Sequence, residues 1–260
     1  MIQATFPDVK ALIIDMDGVL WKAEHPIGDL PAIFQRIRQM GLKTIFATNN
    51  STRTVEKYVE RLRYFGIEAV PEQIVTSSIA TAHLMKKRYP DGGPVFIVGE
   101  TGLIDTLKSN GFYQRDENVL AVVAGMDTTA TYAKLSQATL LIHAGAAFYG
   151  TNPDSTFPTP RGPAMGAGGI IAAIQTSSGV KPIIAGKPFT PMMDLVLEKL
   201  NLAPEEILAV GDRLNTDIQA GKNIGCKTAL VLTGISTREE AEALDSPPDI
   251  IAADFATLIG

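Results

Sequence analysis

The chain has 260 residues, of which 45% are hydrophobic and 20% are charged. This composition is typical of a folded globular protein and excludes a disordered or fibrous chain. The formal net charge is -5 and the basic residues are scattered along the sequence, which argues against a nucleic-acid partner. At this length the chain can form one large α/β domain or two smaller ones.

The sequence also predicts the compartment in which the protein works. Cys226 is the only cysteine, so no disulfide can form within the chain, and a reducing compartment suits it. The first ten residues do not resemble a secretion signal, and no uninterrupted apolar stretch is long enough to span a bilayer. We therefore expect a cytoplasmic protein with no membrane partner.

Short, β-rich apolar segments alternate with amphipathic segments, which is the pattern of βαβ units and a mostly parallel sheet. The first segment, Ala11–Ile14, is apolar without alternation and is predicted to be a central strand covered on both faces. The elements predicted next are a helix after Pro31, a strand at residues 44–47, a helix at residues 52–65 ended by Gly66, a strand at residues 73–76 and a helix that runs to about Arg88.

A row of turn-forming residues interrupts this pattern at residues 90–94, where Pro90 and Pro94 flank an Asp-Gly-Gly segment. It is the strongest linker signal in the sequence and predicts a domain boundary. The strands predicted beyond it lie at residues 95–98, 119–124 and 147–151, with helices after the first two. A helix near residues 164–176 is predicted to end at Gly179, and strands follow at residues 182–185, 207–210 and 228–232.

The segment Asp15-Met16-Asp17-Gly18-Val19 stands directly after the first predicted strand, where open α/β sheets form their ligand crevices. An ionised carboxylate can attack phosphorus without a base to deprotonate it, so Asp15 is a candidate covalent nucleophile. Asp17 is a candidate general acid and then base, and Gly18 allows a sharp turn of the backbone. The alternative is that this segment forms only a turn, because Asp and Gly dominate turns.

A divalent cation is expected at the same place. Two carboxylates beside a phosphate dianion repel one another, and Mg²⁺ prefers hard oxygen ligands and substrate phosphate. A second acidic segment, residues 211–217, follows the strand predicted at residues 207–210. In it, Asp212 would supply an oxygen to the metal and Asp217 would hold the site in place from behind, although Gly-Asp after a strand is also common in turns.

Two further segments predict contacts with a phosphate group. Thr48-Asn49-Asn50-Ser51 ends one strand and precedes a helix, so hydroxyl, amide and backbone N–H groups could surround phosphate oxygens. Lys187 follows another strand and could neutralise the phosphoryl group. The alternatives are a turn with a plain helix cap for the first segment and an exposed lysine for the second.

These four segments, in this order and each at a strand end, resemble the four motifs of the haloacid dehalogenase superfamily of aspartyl-phosphate enzymes. The resemblance implies a doubly wound, Rossmann-like α/β core and a Mg²⁺ cofactor, and it implies that the backbone carbonyl of Asp17 reaches the metal. At the family's motif positions, Asp15 is the nucleophile, Asp17 is the acid and base, and Thr48 is the phosphate-binding residue. Lys187 stands at the position of the family's lysine, Asp212 is a metal ligand, and Asp217 is the supporting acid. We expect substrate contacts from Thr48, Asn49, Asn50, Gly18 and Lys187.

The long interval between Asn49 and Lys187 leaves room for an inserted cap domain. With Thr151-Asn152-Pro153-Asp154 and the glycine-rich residues 162–170, it resembles the branch that contains nitrophenylphosphate, pyridoxal-phosphate and phosphoglycolate phosphatases and the NagD-type nucleotidase. The resemblance implies a core at residues 1–89 and 181–260 and a smaller α/β cap of the C2 type at residues 90–180. It also implies that the cap selects the substrate and that the chain can form a homodimer through it.

The resulting hypothesis is a Mg²⁺-dependent phosphatase that hydrolyses small phosphate monoesters through an aspartyl-phosphate on Asp15. A phosphotransferase that passes the phosphoryl group to another alcohol, and a sensor that binds a phosphate compound without catalysis, are the alternatives. Trp21 lies just after the first motif, where it could line the entrance to the site, and simple packing is an equally good interpretation.

Overall fold

The structure is a computed structural model that describes residues 2–159 and 161–260. Its strands are β1 (Ala11–Ile14), β2 (Trp21–Lys22), β3 (His25–Pro26), β4 (Lys43–Thr48), β5 (Ile74–Thr76), β6 (Gly93–Val98), β7 (Phe112–Gln114), β8 (Ala121–Ala124), β9 (Ala147–Gly150), β10 (Thr156–Thr159), β11 (Gly162–Met165), β12 (Ile183–Ile184), β13 (Ile207–Gly211), β14 (Lys227–Val231) and β15 (Ile250–Ala252). Its helices are α1 (Ile2–Thr5), α2 (Leu30–Gln39), α3 (Val55–Tyr64), α4 (Ser77–Arg88), α5 (Thr101–Ser109), α6 (Tyr132–His143), α7 (Ala167–Ser178), α8 (Thr190–Leu200), α9 (Gln219–Asn223), α10 (Arg238–Glu242) and α11 (Phe255–Ile259). Within the described residues, no helix has the length and apolar character needed to cross a bilayer.

The chain folds into two compact units. The first unit contains the residues up to Thr48, Tyr58–Val75 and Lys187–Gly260, and the second contains Asn49–Lys57 and Thr76–Gly186. Helix α4 belongs to the second unit, because its buried side chains pack in one cluster with those of α5 and β6. The domain limits expected from the sequence, at residues 90 and 180, stay a prediction.

The first unit is built on a six-stranded sheet with the order β15-β14-β13-β1-β4-β5. The pairings of β1 with β13 and with β4, and those of β13 with β14 and of β14 with β15, are parallel. From β1 the chain adds strands on one side of the sheet and later returns to add strands on the other side. This is a doubly wound α/β fold, as the sequence predicts, and its ligand crevice lies where the strand order reverses.

Strand β1 is the centre of this sheet, and its position brings the site residues to one edge. All four of its residues are buried, as predicted for a strand covered on both faces. Ile14 lies opposite Val210 of β13 and opposite Phe46 of β4. The segments that follow these three parallel strands therefore begin at the same level, at the carboxyl edge of the sheet.

The second unit has its own parallel sheet, with the order β12-β9-β8-β6-β7. Apolar side chains of α6 and α7 cover one side of it, and those of α4 and α5 cover the other. Strands β10 and β11 form a separate antiparallel pair. The second unit is thus also an α/β structure with a hydrophobic core of its own.

Most predicted strands agree with the structure to within two residues at each end, but two helix predictions were wrong at their starts. The helix expected at residues 52–65 begins at Val55, because the side chain of Asn50 holds the preceding turn through the backbone N–H of Thr52. The helix expected at residues 164–176 begins at Ala167, because residues 162–165 are extended and pair with β10.

One further interpretation needed correction. The predicted linker ends earlier than residue 94, since β6 begins at Gly93 and pairs there with Phe112. The strand expected at residues 182–185 is β12, which pairs with Tyr149 and Gly150 in the sheet of the second unit. The strand prediction itself is confirmed, and β12 is an edge strand of the sheet β12-β9-β8-β6-β7.

The central role of β1 can be tested by replacing Leu12, which is fully buried, by alanine. We expect Leu12→Ala to lower the free energy of unfolding by about 2–5 kcal/mol, because the site loses apolar contacts and gains a cavity. Urea unfolding followed by circular dichroism measures the effect. The control is Val70→Ala in the same unit, where the side chain is exposed and a change within about 0.5 kcal/mol is expected. Equal, small effects of both substitutions would contradict a central buried β1.

Candidate active site

The ammonium group of Lys187 connects three parts of the first unit. Its Nζ atom donates hydrogen bonds to Oδ1 of Asp15 at 2.6 Å, to Oδ1 of Asp217 at 2.6 Å and to the carbonyl oxygen of Ala47 at 2.7 Å. An ammonium has three protons, so these bonds use all of its donors. The side chain is 4% exposed, which contradicts the alternative of an exposed lysine.

Asp212 is held in a close-fitting position by backbone atoms. Its Oδ2 atom accepts a hydrogen bond of 2.9 Å from the N–H of Ile235. A Cβ atom on Gly18 would lie 2.5 Å from the same oxygen, and one on Gly234 would overlap with the carboxylate. Gly18 also has a φ angle of +86°, a conformation that other residues rarely adopt. Both glycines therefore leave the space that the Asp212 carboxylate occupies.

Asp217 lies on the single π-helical turn Leu214–Ile218 that follows β13. Its Oδ1 atom accepts from Lys187, and its Oδ2 atom accepts a bond of 3.1 Å from the N–H of Arg213. A Cβ atom on Gly211 would overlap with the Asp217 side chain. Asp217 is thus fixed from two sides, in a π-helical turn of the kind that is frequent at functional sites.

The cluster carries more negative than positive charge. Carboxylate oxygens of Asp15, Asp212 and Asp217 lie within 4.8 Å of one another, and all three residues are buried. Lys187 is the one cation in direct contact with them among the described residues. Asp15 and Asp217 share this ammonium, and Asp212 has no contacting cation among the described residues. Three ionised carboxylates would therefore carry two negative charges in excess of the ammonium, an arrangement that is costly in a buried site.

This imbalance changes the pKa values of the cluster. Burial raises the pKa of Asp15 well above its usual value; Lys187 opposes the shift, and Asp217 and Asp212 add to it. Burial, followed by the charge of Asp217, raises the pKa of Asp212 to about 7. Burial alone would lower the pKa of Lys187, but Asp15 and Asp217 raise it, so the ammonium stays charged. The site therefore favours an additional positive charge next to the carboxylates.

Asp17 points its side chain to a different partner. Its Oδ1 atom accepts a hydrogen bond of 2.8 Å from Nε1 of Trp21. Trp21 is 1% exposed, so of the two interpretations from the sequence, packing is supported and a ring that lines the entrance is not.

Asn49 and Asn50 lie in the second unit, where their side chains have defined partners. Nδ2 of Asn49 donates to Oδ1 of Asp154 at 3.1 Å, and the carbonyl oxygen of Asn49 accepts from Nδ2 of Asn152 at 2.7 Å. Oδ1 of Asn50 accepts from the N–H and the hydroxyl of Thr52. Asn50 therefore forms the turn that was the alternative to a phosphate contact, and its substrate role stays a prediction.

The structure brings four of the predicted site residues into one cluster, with Gly18 against it, and leaves Thr48 buried at the end of β4. The residues of the cluster are Asp15, Lys187, Asp212 and Asp217. Sequence reasoning missed the carbonyl group of Ala47 and the N–H group of Ile235, because backbone groups occur in every residue and carry no sequence signal. It also assigned no role to the indole N–H of Trp21, although the spacing from Asp17 was visible.

Comparison with family models identifies the chain. A model described as haloacid dehalogenase-like hydrolase matches residues 12–113, and one described as HAD-hydrolase-like matches residues 184–258. An acid sugar phosphatase from Staphylococcus aureus is 39% identical over 240 residues, which are 92% of this chain and 92% of that protein.

Solved structures agree with this result. A p-nitrophenyl phosphatase from Archaeoglobus fulgidus is 34% identical with a TM-score of 0.91, over 97% of this chain and 99% of that one. NagD from E. coli K-12 is 31% identical with a TM-score of 0.88, over 95% and 97%. The glycerol phosphate phosphatase Rv1692 from Mycobacterium tuberculosis, in complex with magnesium, is 32% identical with a TM-score of 0.89, over 98% and 77%.

The fold, the cluster at the carboxyl edge of the sheet and these similarities agree: the chain belongs to the haloacid dehalogenase-like hydrolases. Within that family it is a phosphatase of the NagD-like branch.

The charge balance of the cluster predicts the effect of removing Lys187. In metal-free protein, Lys187→Met leaves three buried carboxylates without a contacting cation, and we expect a loss of about 3–5 kcal/mol in the free energy of unfolding near neutral pH. The folded variant should then bind more protons than the unfolded chain, since burial and repulsion favour protonated carboxyls. Its stability should fall as the pH rises, so the loss should be smaller at about pH 5 than at about pH 8.

Chemical denaturation at several pH values, with a chelator present, measures this effect. Lys199→Met is the matched control, because Lys199 is exposed and donates to the carbonyl group of Glu72, and it should change stability by less than about 1 kcal/mol at every pH. A loss for Lys187→Met that does not depend on pH would contradict the charge balance described above.

Proposed function

We propose that this chain hydrolyses small phosphate monoesters through an aspartyl-phosphate on Asp15, with Mg²⁺ as cofactor. The observation that carries the proposal is the contact between Lys187 and Oδ1 of Asp15. Oδ2 of Asp15 makes no hydrogen bond with the described residues, so one carboxylate oxygen is held while the other is available to attack phosphorus. A nucleophile fixed in this way loses little freedom when the substrate binds.

The first half of the reaction transfers the phosphoryl group to the enzyme. Oδ2 of Asp15 forms a bond to phosphorus, and the bond between phosphorus and the ester oxygen breaks with its electron pair on that oxygen. Asp17, as the protonated acid, gives its proton to the departing oxygen, which leaves as an alcohol. Lys187 remains charged beside the reacting group and offsets its negative charge.

The second half returns the enzyme to its starting state. Asp17, now ionised, takes a proton from a water molecule, and the water oxygen forms a bond to phosphorus. The bond between phosphorus and Asp15 breaks with its electron pair on the carboxylate, and inorganic phosphate is released. Asp17 is again protonated, so one acid and base serves both halves.

The donor set of the cluster fits Mg²⁺. The carboxylates of Asp15 and Asp212 and the backbone carbonyl of Asp17 would hold the ion, and Asp217 would support them by holding Lys187. Three carboxylate oxygens within 4.8 Å of one another are the hard ligands that Mg²⁺ prefers. When bound, the ion supplies the positive charge that the cluster lacks and offsets charge on the phosphoryl oxygens. The magnesium complex of the relative Rv1692 supports this choice.

The substrate is proposed to be a small phosphate ester such as a sugar phosphate, glycerol phosphate or an aryl phosphate. The similar proteins include an acid sugar phosphatase, a glycerol phosphate phosphatase and a p-nitrophenyl phosphatase, and their names support this class. Thr48, Asn49, Asn50, Gly18 and Lys187 are the residues proposed to bind it. The cap at residues 90–180, the homodimer and the cytoplasmic location stay predictions.

Replacing the nucleophile tests the covalent route. We expect Asp15→Asn to lower phosphate release from 4-nitrophenyl phosphate by at least about 10³-fold in the presence of magnesium, because an amide oxygen is a much weaker nucleophile. Asp194→Asn is the control, since Asp194 is an exposed aspartate on α8 and should retain wild-type activity. Substantial turnover by Asp15→Asn, or no turnover by the wild type with any ester of the class above, would refute the proposed function.

Metal binding can be measured without an assay of activity. Magnesium should raise the midpoint of thermal unfolding of the wild type, with about 2.7 kcal/mol of stabilisation at a concentration of 100 times Kd. Asp212→Asn should remove this response. In the absence of metal the variant should be at least as stable as the wild type, because repulsion within the cluster is smaller. An undiminished magnesium response in Asp212→Asn would exclude Asp212 as a ligand, with Asp194→Asn again as the control.

A further inference from the structure

The hydrogen bond between Trp21 and Asp17 connects a residue without an assigned role to the proposed acid and base. Nε1 of the indole ring lies 2.8 Å from Oδ1 of Asp17. Oδ2 of Asp17 makes no hydrogen bond with any residue in the described ranges. Asp17 itself is only partly buried, so without this bond its side chain could adopt other staggered rotamers.

The indole ring is held in place on its faces. The guanidinium carbon of Arg61 lies 4.6 Å from the centre of the Trp21 ring, and the ring of Phe65 stacks on it with 5.6 Å between centroids. Arg61 is fixed in turn by a hydrogen bond to the carbonyl oxygen of Ala23 and by Glu24 at 3.7 Å. Stacked and cation–π contacts of this kind restrict the orientation of the ring.

The backbone also fixes the spacing between the two residues. The N–H of Gly18 donates to the carbonyl oxygen of Trp21 at 2.8 Å, which closes the short loop after Asp17. Trp21 then begins the hairpin of β2 and β3, in which it pairs with Pro26. Both ends of the hydrogen bond therefore belong to one short, hydrogen-bonded segment directly after β1.

We propose that Trp21 is a positioning residue for the reaction, which holds the carboxyl group of Asp17 in the orientation needed for proton transfer. The inference rests on the proposed function, because it takes Asp17 as the acid and base. Trp21 does not act on the substrate directly, since its side chain is 1% exposed and its one donor group is used by Asp17.

A neutral N–H donor suits a group that must both release and accept a proton. The indole N–H can donate to Oδ1 whether the carboxyl group is neutral or ionised, and Oδ2 lies outside this bond. An arginine or lysine at this place would form a charge-assisted bond and favour the ionised form strongly. The indole therefore fixes the orientation of the Asp17 carboxyl group in both halves of the proposed reaction.

The experiment uses the fact that the chain contains one tryptophan. Biosynthetic replacement of tryptophan by benzothienylalanine exchanges the indole N–H for sulfur and keeps the shape of the ring. The readout is kcat/KM for glycerol phosphate divided by kcat/KM for 4-nitrophenyl phosphate. An alkoxide needs a proton in order to leave, whereas 4-nitrophenolate is a stable anion, so only the first substrate depends strongly on a well-oriented acid.

We expect this ratio to be at least about tenfold lower in the substituted protein than in the wild type. A loss of that size is smaller than the full rate enhancement that general acid catalysis typically provides. Trp21→Phe should show the same selective loss. In a background of Asp17→Asn, the change at residue 21 should have no further effect on the ratio, because the group that it positions is gone. Phe255→Leu is the packing control: Phe255 is buried in the same unit and its ring contacts Phe34, so the change should lower stability without changing the ratio by more than about twofold.

An unchanged ratio in an active, substituted protein would overturn the positioning role while leaving the proposed function intact. An equal loss for both substrates would also overturn it, because that result indicates a purely structural role. A wild-type protein that releases no phosphate from either ester would overturn the inference together with the proposed function, and this outcome is visible before any substitution is made.

Discussion

One buried ammonium group organises the site. Lys187 is held between Asp15, which follows β1, and Asp217, which lies on the turn after β13, and it also donates to the carbonyl oxygen of Ala47 in β4. Three separate segments therefore converge on a single side chain. The carboxylates outnumber the ammonium, and this shortage of positive charge explains both the raised pKa values of the cluster and its suitability for a divalent cation and a phosphate ester.

Asp15 and Asp17 are two residues apart, yet they are held by different chemistry. Asp15 is fixed by an ion pair in the buried cluster, which orients its carboxyl group for attack on phosphorus. Asp17 is fixed by the neutral N–H of an indole ring that is stacked against Phe65 and Arg61. In the proposed mechanism this difference separates the two functions. The ammonium group of Lys187 holds the nucleophile, and the indole N–H of Trp21 orients the acid and base.

Much of this arrangement could be predicted from the sequence, because it depends on local signals. Alternating apolar and amphipathic segments predicted an α/β fold with a mostly parallel sheet, and acidic or polar residues at strand ends predicted a site there. The resemblance to the family implied the doubly wound fold and one site with Asp15, Lys187, Asp212 and Asp217, which the structure brings together. Partners that are distant in the sequence could not be predicted in this way. The pairing of β12 with β9 and the extended residues before α7 were missed, since a short strand gives no local indication of its neighbour. The bond from Trp21 to Asp17 depends on a hairpin of two-residue strands, which is too short to produce a periodic pattern.

The central claim is that phosphorus becomes bonded to Asp15 during turnover, and chemical trapping tests it most directly. The enzyme is quenched in acid during steady-state turnover of a phosphate ester and is then treated with borohydride, which reduces an acyl phosphate to an alcohol. Peptide mass spectrometry should then find homoserine at position 15 in the substrate-treated enzyme and aspartate in a sample without substrate. An enzyme that turns over under these conditions but yields aspartate at position 15, with the modification at another residue or at none, would contradict the account.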